Sequence, residues 1–558
     1  NTLNFSKGSE TVNGTEKSVD LNEATLTLVG ADGEGKVSVA GQGTYSIVKE
    51  DGKSYVQFTP VATYTGNVTP VTVKIADANG TEATTTYTPK IVGVKPSAES
   101  SKTNGIQGET QTSSIVYDLV NKDDNALNFV KGTAIINSES KSIELDKTSV
   151  KLVGAENGTV NGDGSVTVAN QGTYKLVKDA TGANAVTFTP LATFTGKAHP
   201  VTVSITDTNG TEATTTYTPS VTPVKASAEP ATSTGTQGST QSGTPIYTAP
   251  EAGTGVTVTP TYTLDNDSTT KTVDGVGTYT IDTTGKVTFV PVASYVSSDA
   301  NKTSVGVKVT YRLETADQSQ ATITSETTYT PTVNPVTSAG NDVATTNIQG
   351  HTQKSTDEGK ALTYTISDTS HITARTYALE GADNDGKVVV ENVGTYTVDD
   401  KGQVTFVPVP SYVGTPTPVT VVESAVLTSD DKTTTIITTK SMYTPTVTDV
   451  TPTGASSATE GARGTVQTSP VVFDTPDQDN TTVNFNKGDE EVELDKSTLT
   501  LVDKTGKEVK EVTVPGEGTY VLKDGVVEFT PEKDFVGKTS GVTVQVKDVN
   551  GKVVSETY

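Results

Sequence analysis

The chain has 558 residues, 66 acidic and 41 basic side chains, a formal net charge of −25, and no cysteine or tryptophan. That length exceeds what one hydrophobic core organises, so several domains are expected. The charge excludes a basic footprint for nucleic acid or anionic lipid. The missing cysteine excludes disulfides and thiol chemistry, and no apolar run approaches the roughly 20 residues of a membrane helix.

Hydrophobic residues make up 32% of the chain, which is lean. They are mostly Val, Ile, Tyr and Phe alternating with polar residues, a strand pattern, and helical i, i+3, i+4 stripes are missing. The first clear hairpin is GTYSIVKEDGKSYVQFTP, residues 43–60. Facing Tyr45 with Phe58 and Ile47 with Val56 leaves a two-residue loop, Asp51-Gly52, which favours a tight primed turn. Next comes PVTVKIADANG followed by TEATTTYTP, residues 70–89. Pairing Val71 with Tyr87 and Ile75 with Ala83 leaves the loop Ala78-Asn79-Gly80 after Asp77. Thr72, Lys74, Glu82, Thr84 and Thr86 then face outward, and Pro89 is expected to end the ladder, having no N–H to donate.

DANGTEATTTYTP at 77–89 returns at 207–219 with one change, Ala78 to Thr208. A near-verbatim repeat signals a copied building unit. The Gly-Thr-Tyr hairpin also returns. In the second copy Tyr174 faces Phe188, with Asp179 before Ala180-Thr181-Gly182. In the third Tyr279 faces Phe289, with Asp282 before Thr283-Thr284-Gly285. In the fourth Tyr396 faces Phe406, with Asp399 before Asp400-Lys401-Gly402. In the fifth Tyr520 faces Phe529 around Asp524-Gly525. Loop length and turn chemistry agree in all five. A further aromatic follows each hairpin, at Tyr64, Phe194, Tyr295, Tyr412 and Phe535. Tyr-Thr-Pro closes four copies, starting at Tyr87, Tyr217, Tyr329 and Tyr443, and Tyr558 is the last residue. Because the chain begins with Asn1 and stops at Tyr558, it reads as an excised fragment.

After each closing signal comes a Ser, Thr, Ala, Pro and Gly-rich stretch with paired glutamines: Gln107 and Gln111, Gln237 and Gln241, Gln349 and Gln353, then Arg463 with Gln467. These stretches read as joints. They offer little apolar surface, so they are expected to bend, with local stiffening at Pro96, Pro223, Pro335 and Pro452. The reading is all-β: an elongated tandem array of five antiparallel β-sandwich repeat domains. The units are placed at 1–96 (lacking its opening segment), 97–226, 227–336, 337–452 and 453–558 (truncated at its closing motif).

Several residues could carry chemistry. Asp77, Asn79 and Gly80, repeated at Asp207 and Asp548, offer oxygens to calcium, but calcium needs six to eight and the turn reading accounts for all of them. Lys7, Lys131 and Lys487 recur in Asn-Phe-x-Lys-Gly, yet two units lack the motif and no matching core asparagine is evident, so a Lys–Asn cross-link is not favoured. The glutamines read as residues that hydrogen-bond the joint, with a ligand strip as the alternative. His199, His351 and His371 occupy different places in different units, with no repeated nucleophile or carboxylate beside them. No catalytic, cofactor or metal site is expected, and the chain is not read as an enzyme.

The composite pattern is GTYxxxxxGxVxFTPxxxFxG, then PVTVxxxDxNGTxxxxTYTPxVxxVxP, then TxGxQGxxQT, with x absorbing loop-length changes. It resembles the repeats of the CshA-type fibrillar adhesins of streptococci and relatives along essentially the whole chain. The resemblance implies a secreted, cell-wall-anchored fibril on a Gram-positive surface. In it the repeats form a monomeric rod, the structural shaft that projects an adhesive tip away from the wall. Partners would be a host matrix or surface glycoprotein or other bacteria, met through a tip outside this fragment. The alternative is that the repeats themselves bind a host glycoprotein or a partner bacterium.

Overall fold

The computed structural model describes residues 2–475 and 480–558. Among the described residues it is all-β, with a single 3-10 turn at Asp357–Gly359. Five β-sandwiches follow one another along the chain, and each has its own buried cluster. The third and fourth share one plan. In the third, one sheet orders strands Ala231–Thr236, Gln320–Asn334, Val305–Glu314 and Thr257–Leu264. The other orders Gln241–Gly243, Val287–Pro291, Gly277–Ile281 and Thr270–Val273. The second adds strands at the edges, and the first keeps three strands in each main sheet.

All five expected aromatic pairs form in register: Tyr45–Phe58, Tyr174–Phe188, Tyr279–Phe289, Tyr396–Phe406 and Tyr520–Phe529. Their ring centroids lie 4.5–4.6 Å apart. The turns behave as their residues require. Asp51 and Gly52 have φ of 52° and 77°, both left-handed, as a primed turn needs. In the three-residue loops a left-handed Gly closes the turn, at Gly182, Gly285 and Gly402. The preceding Asp caps it: Asp399 Oδ1 accepts from the Lys401 and Gln403 N–H groups at 2.9 and 2.8 Å. Gly277 is needed for a different reason. A Cβ there would meet the Phe289 ring at 2.9 Å, and the Val290 carbonyl oxygen more closely still.

The hairpin Val71–Asp77 with Glu82–Tyr87 pairs 71 with 87 and 75 with 83. Its ladder ends before Pro89. In the second to fourth sandwiches, however, the last strand runs through the proline, to Thr222, Asn334 and Thr448. Proline closes the hairpin ladder but not the strand. The strand's other edge is taken by the opening segment, in parallel: Ser101–Ile106 along Tyr217–Thr222, Ala231–Thr236 along Tyr329–Asn334, and Val343–Ile348 along Tyr443–Thr448. The proline carbonyl still accepts, as Pro219 does from Ala198 N–H at 3.0 Å. Short parallel pairs also join Gln111–Tyr117 to Ala126–Val130 and Gln467–Phe473 to Val483–Asn486.

The joints are less bare than their composition suggests. Ala293, Val336 and Leu427 are buried together, with Ile366, Ile372 and Ile437 packed against them, across the third and fourth sandwiches. Val224 and Ala226 of the preceding joint pack on Tyr311 and Leu313 of the third.

The aromatic pair should dominate local stability. Tyr396 and Phe406 are fully buried. Tyr396→Ala or Phe406→Ala is expected to destabilise the fourth sandwich by about 3–5 kcal/mol. Denaturant unfolding of the variants measures this; midpoints equal to wild type would refute the shared inward face.

Candidate functional site

The recurrent polar constellation lies where the opening segment meets the closing strand. The second glutamine of each pair reaches into the sandwich from the first strand of the opposite sheet. Gln111 Oε1 accepts from the Thr103 hydroxyl at 2.5 Å, and Gln241, Gln353 and Gln467 accept from Ser233, Thr345 and Thr459 at 2.7, 2.9 and 2.7 Å. The same hydroxyls lie 2.6–2.8 Å from the phenols of Tyr217, Tyr329, Tyr443 and Tyr558. A hydroxyl has one proton, and it goes to the glutamine oxygen, so the phenol must donate to the hydroxyl. Gln111, Gln241 and Gln353 use Nε2 to donate to the carbonyls of Ser220, Thr332 and Thr446 at 2.9–3.0 Å. Tyrosine, hydroxyl and glutamine thus form a relay that clasps the closing strand to the opening one.

The first glutamine works at the exit from the second and third sandwiches. Gln107 and Gln237 donate from Nε2 to the carbonyls of Ala192 and Ala293, both at 2.7 Å. Their Oε1 atoms accept from the outgoing chain, at Val224 N–H (3.4 Å) and Val336 N–H (3.1 Å). The hydrogen-bonding reading of the glutamines therefore describes both positions.

The other candidates resolve individually. Asp77 and Asp207 hold their turns: Oδ1 of each accepts from the backbone two and four residues on, at 2.8–2.9 Å. Lys131 and Lys487 point at the surface carboxylates of Glu144 and Glu493 (2.8 and 2.9 Å), and Lys7 lies 3.5 Å from Asp20. Buried asparagines do exist in this motif, at Asn128 and Asn484. Asn128 donates to Leu119 O at 2.7 Å and Asn484 to Thr475 O at 2.9 Å, so each is tied to backbone rather than to the lysine. His199 sits on the Glu156 carbonyl, His351 near Glu491 and His371 near Asp430.

One buried carboxylate was not anticipated. Glu423 points inward where the third sandwich has Val309. It accepts from Arg375 (3.2 Å) and Tyr377 (3.3 Å). Its position in a regular alternating strand gave no sign that a charge had replaced an apolar residue. Among the described residues no group of three His, Cys, Asp or Glu is placed to hold a metal, and no helix is long and apolar enough to cross a membrane. A cavity of about 460 Å³ runs along Tyr558 between Ser456–Gly464 and Phe535–Gly541.

Five tandem segments, residues 1–91, 93–221, 223–333, 335–447 and 449–558, match the family described as the surface adhesin CshA repetitive domain. The chain belongs to that family. Membership makes it a repeat region of a surface adhesin, with an extracellular or cell-surface location and a role in contact with surfaces or cells. Such adhesin repeats are typically non-enzymatic. No curated protein sequence matches the chain. Among solved structures, the protocadherin gamma B4 extracellular domain is 10% identical, with 99% of this chain and 81% of that one covered, at a TM-score of 0.29. Mouse cadherin-23 EC22-24 is 14% identical (64% and 100% covered, TM-score 0.25), and the titin I9-I11 tandem is 8% identical (64% and 97%, TM-score 0.21). At these scores the likeness carries no argument.

Two outcomes follow for a CshA repeat built this way. Replacing Gln353 by Ala leaves the Thr446 carbonyl and the Thr345 hydroxyl without their partner in the interior. The fourth sandwich should lose about 1–3 kcal/mol, measurable by thermal unfolding, with no loss expected from the exposed Gln57→Ala.

Alkali provides the second. Burial pushes the Tyr217 and Tyr443 phenols up to about 12. The unfolded value is about 10, so this stability is fully present below that pH and is lost as pH rises toward about 12. Thermal midpoints should fall steeply across that window, and buried phenolates should form only with unfolding. Titration of every tyrosine near 10 in an intact fold would contradict it.

Proposed function

We propose that the repeats are the structural shaft of a cell-wall-anchored adhesin fibril on a Gram-positive surface, holding an adhesive tip away from the wall. The observation that carries this reading is the parallel pairing of first and last strands. In the second to fourth sandwiches the chain enters on one strand and leaves on its neighbour, both running the same way. Entry and exit therefore lie at opposite ends of the sandwich, and successive sandwiches follow one another along the strand direction. In this reading the units divide at 96/97, 226/227, 336/337 and 452/453, in the segment that follows each closing strand. The host matrix, surface glycoprotein or partner bacterium is then met by the tip, and the rod works as a monomer. No catalytic, metal or cofactor residue enters this role. The net charge of −25 opposes collapse of the rod on itself.

Small-angle scattering tests the shape. Strands of about ten residues at roughly 3.3 Å each make a unit some 30–40 Å long. Five in line span on the order of 150–200 Å, with a radius of gyration near 50 Å, against about 24 Å for a compact globule of this length. A value below about 30 Å would refute the spacer. Binding of the repeats alone to a matrix protein or a second bacterium would instead assign adhesion to the repeats themselves.

A further inference from the structure

The hairpin turn between the last two strands of a sandwich does more than reverse the chain. Its first residue is exposed by only 2% at Asp207, 3% at Thr315, 1% at Ser429 and 3% at Asp548. The corresponding Asp77, in the first sandwich, is only half-buried. The turns that follow another sandwich are the covered ones.

What covers three of them is the Gln-Gly turn of the sandwich before. At the joint between the third and fourth, Ala293 N–H donates to the Thr433 hydroxyl at 2.7 Å, and Asp430 N–H donates to the Gly238 carbonyl at 3.1 Å. The Ser429 hydroxyl lies between the carbonyls of Gly238 and Pro291. Asp430 Oδ2 accepts from the Thr240 N–H and hydroxyl at 2.8 and 2.6 Å. The joint before it repeats the central contact: Ala192 N–H donates to the Ser319 hydroxyl at 2.8 Å.

Glycine makes the close approach possible. An added Cβ at Gly108 would meet Thr315 at 3.0 Å, and one at Gly238 would meet Leu427 at 3.0 Å and His371 at 3.4 Å. At Gly350 it would collide with the Asn550 amide.

The chemistry is matched across these three joints. Where the turn offers a hydroxyl, at Ser319 and Thr433, the opposing residue is an alanine with a free N–H. In the last joint Pro410 stands in the alanine's place and has no N–H, and the turn carries Lys552 where the others carry the hydroxyl. That joint is held differently. Asn550 Nδ2 donates to the Gln349 carbonyl at 2.9 Å, and Lys552 pairs with Asp449 at 2.8 Å. The first glutamine ties the arrangement together, since Gln237 holds both Ala293 and the outgoing Val336.

The structure assigns the Gln-Gly turn of a unit as a docking surface whose partner is the last hairpin turn of the following unit, an interface that fixes the two sandwiches at one angle. The expectation of bending joints rested on their lack of apolar residues. The docking is made by backbone, hydroxyl and carboxylate groups, so apolar content does not report on it. This inference does not depend on whether the array projects a tip.

The absence of cysteine allows a direct test on the full chain. Thr283→Cys and Lys401→Cys, both exposed at hairpin tips of the third and fourth sandwiches, accept spin labels whose distance distribution is read by pulsed electron resonance. A single narrow distribution is expected. Adding Ser429→Ala, Asp430→Ala and Thr433→Ala removes every side-chain bond that this turn makes across the joint but keeps the turn's own cap, in which Asp431 accepts from the N–H of residue 433 at 2.9 Å. The width should then at least double. A broad distribution in the parent chain would overturn the fixed joint. An unchanged narrow one in the variant would overturn the hairpin turn as its cause.

Discussion

The architecture depends on one pairing: the opening segment of a sandwich lies parallel to its closing strand. An antiparallel pair would return the chain to the end where it entered, and tandem copies would fold back on one another. The parallel pair carries the chain across the full height of the sandwich. A parallel connection cannot be a hairpin; it needs a long crossover. Here the crossover is the whole remainder of the sandwich, so forming the pair and closing the domain are the same event.

This explains why polar residues are buried at that seam. In water a glutamine amide is satisfied on all sides, and burying it without partners is unfavourable. Tyr443, Thr345, Gln353 and the Thr446 carbonyl satisfy one another in a chain of hydrogen bonds. Apolar strands can slide by two residues and still bury a side chain. This relay closes in one register only, because a slip of one residue turns Thr345 to the other face and a slip of two separates it from Gln353. With 32% hydrophobic residues, the sandwiches have modest apolar cores, and the relay supplies specificity that core volume alone would not.

The hairpins were legible because their information is local. Tyr396 and Phe406 sit within a few residues of Asp399 and Gly402, so side-chain parity and turn chemistry constrain the same loop. The parallel pair was not legible. Val343 and Tyr443 are far apart in sequence, no turn links them, and Thr-Pro at 444–445 looks like a strand end when only the hairpin edge is considered. The glutamines were visible as a repeated feature, but their spacing says nothing about which carbonyl they reach. Glu423 shows the converse limit: an alternating strand fixes which way a residue points, and a carboxylate at an inward position looks like an exposed one until the partner strand is placed.

The two recurrent polar features also share a line of force. Tension along the chain enters a sandwich through its opening strand and leaves through the closing strand beside it. The strands run the same way and are bonded along six residue positions, Val343–Ile348 against Tyr443–Thr448, so the load falls on that ladder in shear rather than on one bond at a time. The relay bridges these two strands, and the first glutamine binds the exit, where the next sandwich is docked. Polar groups that are costly to bury thus stand where a tandem array carries its load, and the aromatic pairs fill the core between them.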